Sequence, residues 1–171
     1  ELRIAEFPVS PASGPSVIPA GPDGNLWFTQ LFRPGLGRLT PQGTVTEFTQ
    51  GITPMPPMSM GGLPDVTVGP DGNLWFTEGE RDKIGRITPA GVVTEFSAGI
   101  TPGSFTAGIA TGPDGNLWLT ENRANRPGRV TPAGVVTRFR LGPNPPYGGT
   151  NRGLGAITDG GAGTDITATS L

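Results

Sequence analysis

Gly69-Pro70-Asp71-Gly72-Asn73-Leu74-Trp75-Phe76-Thr77-Glu78 is the stretch that decides the fold. It begins as a tight turn and ends as a strand. Pro presets φ, Asp accepts local backbone hydrogen bonds, and Gly supplies a positive φ. Leu-Trp-Phe-Thr then has the aromatic and β-favouring character of a strand. The stretch recurs upstream as Gly21-Pro22-Asp23-Gly24-Asn25-Leu26-Trp27-Phe28-Thr29-Gln30, and downstream as Gly112-Pro113-Asp114-Gly115-Asn116-Leu117-Trp118-Leu119-Thr120-Glu121. Asp23 and Asp71 are 48 positions apart, and Asp71 and Asp114 are 43 apart.

The flanking sequence keeps step with this core. A Gly-Arg-Leu/Ile/Val-Thr strand follows at Gly37, Gly85 and Gly128. A short turn then leads into Val45-Thr46-Glu47-Phe48, Val93-Thr94-Glu95-Phe96 and Val136-Thr137-Arg138-Phe139. A further strand is expected ahead of each turn, at residues 16–20 in the first unit. Four short strands per unit of about 40–48 residues is the signature of a β-propeller blade. No apolar pattern of helical period is present, which excludes a helical solenoid. The expected architecture is all-β: one domain over 1–171, with full blades at about 15–49, 62–97 and 106–140. Residues 1–10 match a last strand through Ile4-Ala5-Glu6-Phe7. Residues 142–171 begin a fourth unit, with strands expected at Gly155-Ala156-Ile157-Thr158 and at 165–169, where the Trp is lost.

Composition narrows the chemistry. Gly and Pro together fill 49 of 171 positions, and their fixed places make them turn punctuation rather than a sign of disorder. Net charge is −2 and the 12 basic residues do not cluster, which argues against a nucleic-acid surface. No apolar run approaches the length of a membrane span. There is no Cys and no His, so thiolate chemistry, the commonest general base and the commonest transition-metal ligand are all excluded. The chain starts at Glu1 rather than Met. It therefore reads as a processed form or a fragment, which leans the expected location toward secretion.

Asp-Gly-Asn-Leu-Trp-Phe-Thr-Glu, followed by Ile-Gly-Arg-Ile-Thr and Gly-Val-Val-Thr-Glu-Phe, closely resembles the virginiamycin B lyase (streptogramin lyase) family over residues 1 to about 141. The resemblance implies a seven-bladed propeller, of which this chain would be roughly half. It implies Mg²⁺-assisted elimination at the ester of cyclic streptogramin B antibiotics. The general base would be a His just before the first strand of a blade, with a metal-binding Glu fourteen residues later. In this chain the Glu position holds Gln30, Glu78 and Glu121, and the His position holds Ser16, Pro64 and Ala107. The carboxylate survives and the base is missing from every blade, so no catalytic residue is assigned.

Glu78 and Glu121 are candidate Mg²⁺ ligands, against a bland reading in which they only cap a strand. With Gln30 they are also candidate ligand-binding residues. So are Met55, Met58 and Met60, which all lie in the loop that carries the five extra residues between units one and two. The three Trp residues read as inter-blade core, the turn Asp residues as turn formers, and Arg38, Arg86 and Arg129 as edge or blade-to-blade donors. Three functions follow: a non-catalytic binding or scaffold domain, a lyase segment whose His-bearing blade lies elsewhere, and a unit that completes a ring by assembly. The expected partners are another copy or the remaining blades of a parent protein, with a small molecule at the propeller mouth.

Overall fold

The glycine after each turn aspartate adopts a left-handed φ, +76° at Gly24, +73° at Gly72 and +70° at Gly115, and there the chain reverses into a strand. The structure is a computed structural model that describes residues 5–55, 61–139, 154–159 and 166–170. Its first sheet has three strands in order, β1 (Leu26–Thr29), β2 (Leu36–Leu39) and β3 (Val45–Phe48). The second has four: β4 (Val66–Val68), β5 (Leu74–Glu78), β6 (Lys83–Ile87) and β7 (Val93–Phe96). The third repeats it with β8 (Thr106–Thr111), β9 (Leu117–Glu121), β10 (Arg126–Val130) and β11 (Val136–Arg138). A hairpin of β12 (Leu154–Asp159) and β13 (Ile166–Ser170) follows. All neighbours pair antiparallel. The sheets match a partial β-propeller, and among the described residues no helix is long and apolar enough to cross a membrane.

The first sheet departs from expectation at residues 16–20. This segment runs beside β1 through bridges at Pro15–Gln30 and Ala20–Leu26 and bonds such as Ser16 N–H to the Thr29 carbonyl, but it does not form a strand. Pro15 and Pro19 lack the N–H groups that a ladder requires. Residues 5–10 likewise form no strand.

The sheets pack by one repeated rule. Trp27 stacks on Phe48 of its own sheet with centroids 5.2 Å apart, as Trp75 does on Phe96 at 5.3 Å and Trp118 on Phe139 at 5.1 Å. The first two aromatic pairs lie against the aliphatic face of the next sheet. Trp27, Leu36 and Phe48 meet Val66, Leu74, Phe76 and Ile87. Trp75, Ile84 and Phe96 meet Ile109, Leu117, Leu119 and Val130. Trp27 and Trp75 are fully buried, as expected, whereas Trp118 is only partly so. The arginines bridge the same interfaces: Arg38 donates to the Pro89 carbonyl at 3.0 Å and Arg86 to that of Pro132 at 3.3 Å.

The turn aspartates do more than form the turn. Oδ1 of Asp71 accepts the Trp75 indole N–H at 3.0 Å as well as the Asn73 backbone N–H. Asp23 and Asp114 hold Trp27 and Trp118 in the same way. The indole's one donor is thereby satisfied, and its ring is fixed over the sheet.

Candidate functional site

The Trp-bearing strands β1, β5 and β9 run to the same edge, and there stand Gln30, just past β1, and Glu78 and Glu121. Antiparallel register adds two more positions. Opposite Glu78 is Lys83, and opposite Glu121 is Arg126. The last strand of each of the three sheets contributes Glu47, Glu95 and Arg138, paired across from Gly37, Gly85 and Gly128.

Each sheet holds one carboxylate in a hydroxyl clamp. Ser10 donates both its backbone N–H and its hydroxyl to Glu47. Thr53 donates both to Glu95, its hydroxyl at 2.7 Å. Thr101 donates both to Glu121, its N–H at 3.0 Å. The clamped carboxylate thus comes from the last strand in the first two sheets (β3 and β7) and from the Trp-bearing strand β9 in the third. The exchange follows from Arg138, which stands where the others have Glu and donates to the Thr101 hydroxyl at 3.0 Å. In the first sheet Gln30 donates its amide to Glu47 at 2.7 Å. Burial works against the Glu47 charge, but hydrogen bonds from Ser10 and Gln30 and the Arg33 charge outweigh it and hold the carboxyl below its usual range.

The second sheet carries one carboxylate too many. Glu95 occupies the clamp and also accepts from Lys83 at 2.6 Å. Burial alone would raise it, yet these bonds hold it low. Glu78 beside it is fully buried; as a carboxylate neither of its oxygens receives a hydrogen bond, and the proton it keeps is shared with Glu95. The nearest cation is the Nε of Arg81, 3.9 Å away. Burial, then the negative charge of Glu95, pushes the Glu78 carboxyl up to about 8, with Arg81 and Lys83 offsetting only part of this. Arg81 gives its Nε–H to the Pro54 carbonyl at 3.1 Å, and its two terminal nitrogens are buried without partners.

The structure brings Gln30, Glu78 and Glu121 to one edge of three successive sheets. Thr53 and Pro54 carry the start of the Met loop to the same edge, where Met55 is half-buried. Met58 and Met60 lie outside the described residues. At the position where the resemblance expects a His, Ser16 is exposed, Pro64 has no titratable group, and Ala107 accepts the Thr77 hydroxyl through its carbonyl at 2.6 Å. Asp65, next to Pro64, has each oxygen on a backbone N–H, those of Val66 and Ile109, and burial raises its pKa.

These donors do not make a Mg²⁺ site. That ion favours oxygen ligands in near-octahedral array. Glu121 gives both oxygens to Thr101, Glu95 gives its own to Thr53 and Lys83, and Glu78 already has Arg81 and Lys83 at hand. Among the described residues no three His, Cys, Asp or Glu side chains gather closely enough to hold a metal. Glu95, Lys83, Arg81, Thr53 and Asp65 were not singled out from sequence. The signal available was the repeated Val-Thr-Glu-Phe glutamate and its exchange for Arg138.

Antiparallel sheets of three or four strands, packed aromatic face to aliphatic face in sequence order, define the class as a propeller built of Trp-bearing blades. The chain belongs to the virginiamycin B lyase family, whose description matches residues 1–159. It resembles virginiamycin B lyase from Staphylococcus aureus with a TM-score of 0.81 and 36% identity, over 97% of this chain and 52% of that one. A catalytically inactive histidine-to-alanine variant of the S. aureus enzyme with quinupristin gives a TM-score of 0.77 and 37% identity, over 94% and 50%. Virginiamycin B lyase of Saccharopolyspora erythraea is 50% identical over 46 residues, 27% of this chain and 15% of that protein. The chain thus spans about half the length of the solved lyases it matches.

Proposed function

We propose that this chain is a non-catalytic scaffold and binding segment of a lyase-type propeller. One observation carries the reading: among the described residues, none of the three at the base position has a side chain that can serve as a base. Ser16, Pro64 and Ala107 occupy the base position; of the two carboxyls with a raised pKa, Glu78 is fully buried and Asp65 gives each oxygen to a backbone N–H. A general base must lie within hydrogen-bond reach of the proton it removes. The relative described as a catalytically inactive histidine-to-alanine variant supports the same point.

The test is incubation of the purified chain with quinupristin and Mg²⁺, read by mass spectrometry for a ring-opened product of unchanged mass and altered retention. The expected result is no product above a protein-free control. Turnover that scales with protein concentration would refute the reading.

A second reading rests on the 36% identity to an active family's enzyme over 97% of this chain. In it the chain is one part of a complete lyase, with the His on a blade outside these residues. A coding sequence that continues in frame into a Pro-His-bearing blade would favour this reading over the first.

A further inference from the structure

We propose that Arg126 and Arg138, neighbours on the edge of the third sheet, form a binding site for a dianionic phosphate group, that of a small phosphate monoester. The inference deepens the binding half of the reading above and rests on it. The three repeats supply the comparison. At the position opposite Gln30, Glu78 and Glu121 the chain carries Gly35, Lys83 and Arg126. On the last strand of each sheet it carries Glu47, Glu95 and Arg138. In the second sheet these two positions make an ion pair, with Lys83 Nζ 2.6 Å from Glu95 Oε2. The third sheet keeps the same register, since Gly128 pairs with Arg138 as Gly85 pairs with Glu95. Arg126 stands two residues before Gly128 on one strand and shares its face, so Arg126 and Arg138 are diagonal neighbours. The frame that holds a cation and an anion in the second sheet holds two cations in the third.

No counter-charge inside the chain answers this pair. Like charges set beside each other across strands are destabilising unless an anion joins them. Among the described residues the Arg126 side chain makes no hydrogen bond and no ion pair. Arg138 gives one N–H to the Thr101 hydroxyl at 3.0 Å and has no carboxylate partner among the described residues. The carboxylate of this edge, Glu121, is fully buried, and both its oxygens accept from Thr101. It brings one charge against two. Arg123 adds a third guanidinium where the other repeats have Phe32 and Glu80. It is already engaged, stacked over Phe105 at 5.1 Å and paired with Glu80 at 3.4 Å, so the free donors are those of Arg126 and Arg138. Both can be reached from solvent, Arg138 being exposed and Arg126 half-buried.

The donor chemistry selects the ligand. A guanidinium is planar, always charged, and offers forked N–H donors that match two oxygens of an oxyanion. Two of them on one face supply two forks and two positive charges. A phosphate monoester is close to doubly charged at neutral pH and presents three acceptor oxygens, so it can meet both forks. A carboxylate has one charge and two oxygens, and it leaves one fork unmet.

The test uses the purified chain and phenyl phosphate, with neither the antibiotic nor Mg²⁺. Its failure would therefore leave the missing-base argument standing, and lyase turnover would leave this site standing. The phosphorus NMR signal of phenyl phosphate is followed as protein is added in low-salt buffer. A saturable shift is expected, with a Kd near or below about 1 mM, and it should weaken as salt is raised. Acetate at the same concentration should not displace the probe. Arg138→Glu installs the residue that the first two sheets carry at this position, so it brings nothing foreign to the fold. It should raise Kd by roughly tenfold or more, and Arg126→Gln should do likewise. Arg129→Gln removes as much charge as Arg126→Gln from the same strand, beside Asp114 at the opposite edge, and should leave Kd unchanged. Absence of a saturable shift overturns the proposal. So does equal displacement by acetate, which would make this a carboxylate site. An equal loss in Arg129→Gln also overturns it, because attraction to net charge alone would then explain the binding.

Discussion

Replacing Glu78 by Gln should make the protein more stable at neutral pH, although the residue is fully buried. The folded protein keeps a proton on Glu78 up to about pH 8, whereas the unfolded carboxyl releases it near 4.5. Between those values the folded state binds the extra proton, so this group's contribution falls as pH rises. At 1.36 kcal/mol per unit, the loss reaches about 3 kcal/mol at pH 7 and about 5 kcal/mol once the folded carboxyl is also ionised. Gln carries no charge to desolvate and has nearly the same volume. The first sheet shows that the position accepts it, since Gln30 sits buried with its amide donating to Glu47 at 2.7 Å. Urea unfolding of wild type and Glu78→Gln from about pH 5 to pH 9 measures the effect. The expected result is a wild-type stability that declines across this range relative to the variant, with the curves meeting near pH 5. Parallel pH profiles, or a variant less stable than wild type at pH 8, would refute the reasoning.

Trp75→Ala should cost ~3–5 kcal/mol, since it empties a fully buried site between two complete sheets. Trp118→Ala, at a partly exposed ring, should cost less, and a thermal melt that ranks the two the other way would contradict the packing rule. Asp71→Ala should cost about 1–3 kcal/mol by leaving the Trp75 indole N–H and the Asn73 N–H without their acceptor. Its signature in near-ultraviolet circular dichroism would be a loosened indole, and a spectrum and melt like those of the wild type would count against the link.

The blades were legible because the chain states the same rule three times. Pro-Asp-Gly followed by Leu-Trp-Phe or Leu-Trp-Leu fixes a turn and a strand by local physics alone, and a fixed offset then places every other strand. The missing strand at residues 16–20 is where local chemistry overrides the pattern, because Pro15 and Pro19 interrupt the donors. The carboxylate edge was less legible. Glu78 and Glu121 occupy one repeat position, yet one is an orphan with a raised pKa and the other is clamped by Thr101. What separates them is the fourth-strand residue some seventeen positions on, Glu95 or Arg138, and only register brings that residue alongside. The tie between turn aspartate and indole was equally out of view, because it depends on a side-chain direction rather than on spacing.

The seat of Phe48 on Gly91 and of Phe96 on Gly134 shows that the second sheet grips its successor with the same groups the first sheet uses on it. A unit with that property carries its own joint. Copying one unit in frame creates a new boundary identical to the old ones, so gene duplication can lengthen the arc without inventing an interface. Nothing at the joint itself counts the units. The number that a ring holds must be decided elsewhere, by the angle each joint turns.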